Sequence, residues 1–193
     1  MTFPFRLEPL GEGHERSLFR CGEDALDRYF QTQVSQDIRR RVANCFVAVE
    51  IATSHVAAYY TISAANIPLA DLPPDETKRL PRYPTVSAVR IGRLAVDQRF
   101  QGRGLGAALL ADAAGRTLKA GAAAFTLLVG ARNDQAVAFY QRFGFEFCPV
   151  RPEHCFFRWR PPRRLSFRKT LAELIRSSRL NDVRLRRRGL EHG

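Results

Sequence analysis

Between Asp24 and Arg40 the apolar residues Leu26, Tyr29, Phe30, Val34 and Ile38 recur at steps of three and four, the spacing that lines one face of a helix. The residues before it, Phe3–Leu10, suit a short first strand, ended by Pro9 and the Gly11/Gly13 pair. After the helix the period changes. Cys45–Ile51 and Val56–Ser63 are rich in β-branched and aromatic residues, and the turn-like Thr53-Ser54 between them predicts a hairpin. Residues 64–85 hold Pro68, Pro73, Pro74, Pro81 and Pro84, which forbid a central strand and predict a loop with one helical turn near Asp75–Leu80. Val86–Val96 is a long strand candidate. Gly104–Ala120 follows as a helix with Leu105, Leu109 and Ala113 on one face, then a compact apolar strand, Ala124–Val129. A helix over Gln135–Phe143 and a strand over Gly144–Val150 complete the alternation. Strands and helices in this order argue a mixed α/β fold around one central sheet.

Composition narrows the class. Of 193 residues 45% are hydrophobic and 26% charged, an ordinary globular balance. The longest weakly polar stretch, Ala120–Ala131, is about half the roughly 20 residues a membrane-spanning helix needs. The N-terminus lacks the basic, apolar and small-residue succession of a secretory signal. Cys21, Cys45, Cys148 and Cys155 are too irregularly spaced for a disulfide framework or a zinc knuckle, and the four histidines never pair at helical spacing. No metal is expected, and a reducing cytoplasm is the expected location.

Charge adds a direction. Thirty-one Lys and Arg against nineteen Asp and Glu give +12, and only Lys78, Lys119 and Lys169 are lysines. Residues 158–193 hold twelve of the basic and three of the acidic residues, so this C-terminal fifth carries +9. Such a surplus favours an anionic partner, nucleic acid or an acidic protein, and arginine's planar fork suits phosphate.

The chemistry concentrates in Ile91-Gly92-Arg93-Leu94-Ala95-Val96-Asp97-Gln98-Arg99-Phe100-Gln101-Gly102-Arg103-Gly104-Leu105-Gly106. A strand runs into a turn with glycines at alternate positions, and the turn opens a helix. Glycines admit positive φ and close backbone approach, and N–H groups at a helix start attract anions. The pattern therefore points to phosphate or pyrophosphate. A Walker loop would need a terminal Gly-Lys-Ser/Thr, which is absent. A dinucleotide fold would need GxGxxG and an acid about 20 residues on, whereas the spacing is GxGxG and 121–126 carry no acid.

Gln101-x-x-Gly104-x-Gly106 resembles the coenzyme A pyrophosphate loop of the GNAT N-acetyltransferases. Ala131-Arg132-Asn133-Asp134, followed by Ala136 to Phe145 with Tyr140, is similar to the segment in which that superfamily brings an Asn and a Tyr to the thioester. Phe19-x-Cys21-Gly22-x-x-x-Leu26-Asp27, Gln36-Asp37, Cys45-Phe46-Val47-Ala48 and Tyr59-Tyr60-Thr61-Ile62-Ser63 resemble one branch, the toxins of bacterial toxin–antitoxin pairs that acetylate aminoacyl-tRNA. The likeness spans about residues 5–148 and resumes in Leu165–Leu171. The chain departs from the branch in its proline-rich 149–163, longer than the usual link to a last strand, and in the arginine-rich tail after Leu171.

The resemblance implies a GNAT fold, one twisted central sheet flanked by helices and splayed at the acetyl-CoA site, over residues 1–171, with 172–193 as a basic extension. It implies that the backbone of Leu94, Ala95 and Val96 pairs with the pantetheine arm. Arg99, Gln101, Gly102, Arg103, Gly104, Leu105 and Gly106 would hold the pyrophosphate. An N–H near Val96 would polarise the acetyl carbonyl, Tyr140 would protonate the leaving thiolate, and Asn133 would position the cofactor or Tyr140. It also implies a homodimer and a small ribbon-helix-helix antitoxin.

The acceptor is argued from an absence. Neither Val86–Val96 nor Ala124–Gly130 contains Asp, Glu or His. A lysine amine, with a pKa of about 10.4, would need such a base, whereas an α-amine at about 7.7–8.0 is already substantially neutral. An aminoacyl-tRNA fits, and so does a protein N-terminus. Phosphates separate the two, with Arg90, Arg93, Arg99, Arg132 and Arg142 as candidates to hold an acceptor stem. The leading expectation is a toxin-type enzyme capping charged tRNA. The alternatives are an N-acetyltransferase of protein N-termini or small amines, and a DNA-binding regulatory partner of an antitoxin working through 158–188.

Overall fold

In a computed structural model, which describes residues 4–72, 74–78, 80, 82–119, 124–131, 133–148 and 155–159, seven strands hydrogen-bond in one mixed sheet. They are β1 (Phe5–Pro9), β2 (Asn44–Glu50), β3 (Val56–Pro68), β4 (Thr85–Val96), β5 (Thr126–Ala131), β6 (Phe145–Cys148) and β7 (Cys155–Trp159). Their order across the sheet is β1-β2-β3-β4-β5-β7-β6. The helices are α1 (Asp24–Arg28), α2 (Val34–Arg39), α3 (Pro74–Thr77), α4 (Leu105–Lys119) and α5 (Asp134–Arg142). The mixed α/β sheet expected from the alternation is thus the fold. By contact the chain divides into two units, one taking in Met1–Tyr60 and Leu94–Asp112, the other Thr61–Arg93 and Ala113–Arg160.

In the first unit, β1 and β2 pair antiparallel from Phe5↔Glu50 to Pro9↔Phe46. Val56 to Thr61 of β3 are buried on both faces, as a near-continuous apolar run requires. The helix expected over 24–40 is divided: a π segment, Tyr29–Gln33, separates α1 from α2. The Val34 N–H reaches back to the Tyr29 carbonyl, and Arg16 satisfies the Phe30 carbonyl at 3.1 Å. Phe30 lies flat on Tyr59 with ring centres 4.1 Å apart, and Phe19 meets both rings edge-on. Val34, Val47, Val49 and Ala95 complete that core. At the start of α4, Leu105 and Leu109 are buried, and Asp112 accepts the Tyr60 hydroxyl at 2.6 Å.

In the second unit, β4 and β5 run parallel from Ala88↔Thr126 to Ile91↔Val129. β7 pairs antiparallel with β5 and with β6. Ile67, Leu72, Ala88 and Leu128 form its core.

Two further expectations are corrected. The loop expected from residue 64 begins later, because β3 continues to Pro68, where a proline ends the strand without needing a ladder donor. The proline-rich stretch 149–163, expected as a link, contains β7: Cys155–Trp159 is free of proline and rich in aromatics. The segment Leu165–Leu171, where the resemblance resumes, and the basic extension 172–193 lie outside the described residues.

Candidate active site

The turn after β4 is anchored by one buried carboxylate. Asp97, 1% exposed, accepts the N–H groups of Arg20 and Arg99, both at 3.0 Å. It also takes Arg99 Nε at 2.8 Å and a terminal guanidinium nitrogen at 3.0 Å. Burial by itself would raise its pKa, but these donors hold the carboxyl below its ordinary value. Asp97 is therefore spent on shaping the turn and is not available as a base. A single 3₁₀ turn, Gln98–Phe100, follows and buries Phe100 edge-on to Phe5. The Gln101 side chain donates to the carbonyls of Cys21 and Val96, both at 3.1 Å, so its amide ties the turn to the chain before α1.

Gly102 and Gly104 take φ of +73° and +77°, a region closed to most side chains, and a Cβ built on either would meet nothing within 4 Å. Conformation rather than crowding favours glycine here. The first intrahelical bond of α4 runs from Ala108 N–H to the Gly104 carbonyl, so the N–H groups of Leu105, Gly106 and Ala107 precede it. No acidic residue stands in that first turn to neutralise the positive helix end. The two flanking arginines differ. Arg99 is locked onto Asp97, whereas Arg103 is 53% exposed, lies over the Phe100 ring at 5.2 Å and approaches Glu50 only to 3.8 Å. These features suit the diphosphate of a coenzyme A thioester: amide donors, no opposing acid, and one loosely held guanidinium.

Beyond Ile91↔Val129 the β4–β5 ladder stops, although β4 continues to Val96 and β5 to Ala131. Leu94 to Val96 lie past that last pair on β4.

In the second unit, Tyr140 sits on α5. Asn133 caps that helix, its side-chain oxygen accepting the Ala136 N–H at 2.8 Å. Asn133 is thereby seen holding the helix that carries Tyr140. The Tyr140 ring is buried against Phe139 at 5.2 Å and Phe145 at 5.6 Å, and burial pushes its phenol up to about 12. Arg90 and Arg142 are exposed and Arg93 is half-buried, its N–H bonded to Thr61 Oγ1. Arg90 and Arg93 stand an odd number of residues apart on β4, so they project to opposite faces of the strand. Arg132 lies outside the described residues. Among the described residues no cluster of His, Cys, Asp and Glu is placed to hold a metal ion, and no helix is long and apolar enough to cross a membrane.

Sequence reasoning passed over Glu50 and Phe100. Neither had a motif to announce it: Glu50 ends a strand 53 residues before Arg103, and Phe100 reads as an ordinary apolar position.

Among known families, the acetyltransferase (GNAT) domain matches residues 82–159. A tRNA-acetylating toxin of Mycobacterium tuberculosis is 33% identical over 147 residues, covering 75% of this chain and 86% of that protein. The chain belongs to the GNAT acetyltransferases. Solved structures similar to this acetyltransferase include AtaT complexed with acetyl-methionyl-tRNAfMet, 29% identical, with a TM-score of 0.72 over 79% of this chain and 93% of that one. AtaTR bound with AcCoA is 26% identical, with a TM-score of 0.69 over 81% and 93%. A Tyr-to-Phe mutant of the AtaT toxin bound to the C-terminus of the antitoxin AtaR is 25% identical, with a TM-score of 0.65 over 81% and 94%.

Proposed function

We propose that this acetyltransferase transfers the acetyl group of acetyl-CoA to the α-amine of an aminoacyl-tRNA and thereby blocks translation. One observation carries the choice of acceptor: the site strands supply no base. β4 from Val86 onward and β5 through Gly130 hold no Asp, Glu or His. The carboxylate that adjoins them, Asp97, is taken up by Arg99 and two backbone N–H groups. The amine must arrive largely neutral, which an α-amine does near pH 7.5 and a lysine does not. The toxin relatives, one of them held in complex with acetylated methionyl-tRNA, support the same acceptor.

In this reading the amides of Gly102 to Gly106 bind the diphosphate, with Arg103 adding charge. The backbone of Leu94 to Val96 pairs with the pantetheine arm and orients the thioester. An N–H near Val96 stabilises charge developing on the acetyl oxygen. As the carbon–sulfur bond breaks, Tyr140 gives its phenolic proton to the sulfur, and the proton lost by the amine passes to water. Burial keeps the Tyr140 phenol protonated across the working range. Asn133 positions Tyr140 by capping α5. Arg90, Arg93, Arg132 and Arg142 are the residues proposed to hold the acceptor stem.

The toxin works, on this reading, as a homodimer in the cytoplasm, silenced by a ribbon-helix-helix antitoxin whose tail lies over the active face. The test is transfer of labelled acetyl from acetyl-CoA to three acceptors offered in parallel: total charged tRNA, peptides with free N-termini, and polyamines. Label in charged but not deacylated tRNA supports the proposal. Label confined to peptides or polyamines overturns it.

A further inference from the structure

The C-terminus of α2 is closed by an arginine where the backbone asks for glycine. The N–H of Arg41 bonds to the Ile38 carbonyl at 3.0 Å and that of Val42 to the Asp37 carbonyl at 2.9 Å. This pair of bonds ends many helices, and it places the residue between them in the left-handed region, where glycine is usual. Arg41 occupies that position with φ of 56°. The apolar contact that often accompanies such an end is missing, because Val42 is 58% exposed. The site is thus poorly made for stability.

Arg39 and Arg40 precede it, and all three arginines are exposed. Among the described residues none of the three is paired with a carboxylate. The acid on the same helix is engaged: Asp37 accepts the Tyr29 hydroxyl at 2.8 Å. The negative end of the helix dipole favours cations at Arg39 and Arg40. It gives no reason for an arginine on a strained backbone.

We infer that Arg39, Arg40 and Arg41 form a phosphate-binding surface for the RNA substrate, with Arg41 kept at its strained position for its guanidinium. The inference rests on the tRNA acceptor proposed above. Guanidinium groups match phosphate oxygens in fork geometry, and RNA ends are held largely through backbone charge. An acidic protein is the other class that such a patch attracts. A protein interface, however, centres on a packed aromatic or aliphatic anchor, and among the exposed large hydrophobics of the described residues Val42 is the one that adjoins this triplet in sequence.

The test compares the full chain with Arg39→Gln, Arg40→Gln, Arg41→Gly and the triple variant, with Lys78→Gln as an exposed control. Acetylation of charged tRNA is followed between 50 and about 200 mM salt. The triple variant raises the KM for tRNA roughly tenfold and lowers the slope of log KM against log salt by about 2 to 3, since each phosphate contact contributes roughly 0.7–0.9. The KM for acetyl-CoA stays unchanged, and Lys78→Gln matches the parent. Arg41→Gly retains or raises the thermal midpoint while weakening tRNA use, which separates lost contact from lost folding. An unchanged KM and slope in the triple variant overturns the inference while the tRNA reading stands. Weaker binding of poly-glutamate with tRNA kinetics intact also overturns it, assigning the surface to an acidic protein. If the parent acetylates amines but no charged tRNA, the underlying reading fails, and this inference with it.

Discussion

Replacing Tyr140 with phenylalanine removes one oxygen from a ring that is otherwise held by packing. The contacts with Phe139 at 5.2 Å and Phe145 at 5.6 Å survive, so the change at neutral pH is about 1 kcal/mol or less. Catalysis responds differently: losing the proton donor to the thiolate lowers kcat by roughly 10²–10⁴-fold and leaves the KM for acetyl-CoA near its parent value. Burial adds a second signature. The folded chain holds the Tyr140 proton up to about pH 12, while an unfolded chain releases it near pH 10. The stability this contributes is complete below about pH 10 and is lost as the pH rises through about 12. Two pKa units correspond to at most about 3 kcal/mol. Urea titrations at pH 8 and near pH 11.5 read this directly: the parent loses stability between them, and Tyr140→Phe loses less by up to about 2 kcal/mol, since about 1.5 of the two units have been crossed. Equal kcat in parent and variant refutes the acid role. An alkaline fall in parent kcat centred near pH 10 refutes the burial argument.

Other consequences follow from the turn. Asp97→Asn strips the charge that fastens Arg99, and the urea midpoint should fall by an amount worth about 2–4 kcal/mol, because Asp97 is buried and accepts four bonds. Arg103→Gln should raise the KM for acetyl-CoA several-fold with little change in thermal midpoint, whereas Arg99→Gln should do the reverse, reflecting the different hold on the two side chains. Initial rates and melting curves on both variants decide the division. Gly104→Ala should cost about 1 kcal/mol of stability and weaken acetyl-CoA binding, since its φ of +77° disfavours an L side chain; calorimetric titration with coenzyme A measures the second effect.

Much of the frame was legible because periodicity reports on burial. Leu26, Tyr29, Phe30, Val34 and Ile38 marked one helical face, but nothing in that spacing disclosed the π segment, where Arg16 satisfies the Phe30 carbonyl from outside the helix. Pro149, Pro152, Pro161 and Pro162 obscured β7, because prolines flanking a five-residue strand resemble a loop when composition is averaged. Gly102 and Gly104 were legible as a turn of positive φ because backbone conformation restricts the residue type. Glu50 was not, since it meets Arg103 across 53 residues of chain and no motif links the two. Asn133 carried a motif, yet its capping bond to Ala136 emerged only from geometry.

The central claim concerns a single nitrogen atom. Charged tRNA treated with the protein and acetyl-CoA, then digested to nucleosides and analysed by mass spectrometry, should yield aminoacyl-adenosine carrying one acetyl group on the α-amine, and none with Tyr140→Phe at matched times. Unmodified aminoacyl-adenosine from a protein that still consumes acetyl-CoA would contradict the account.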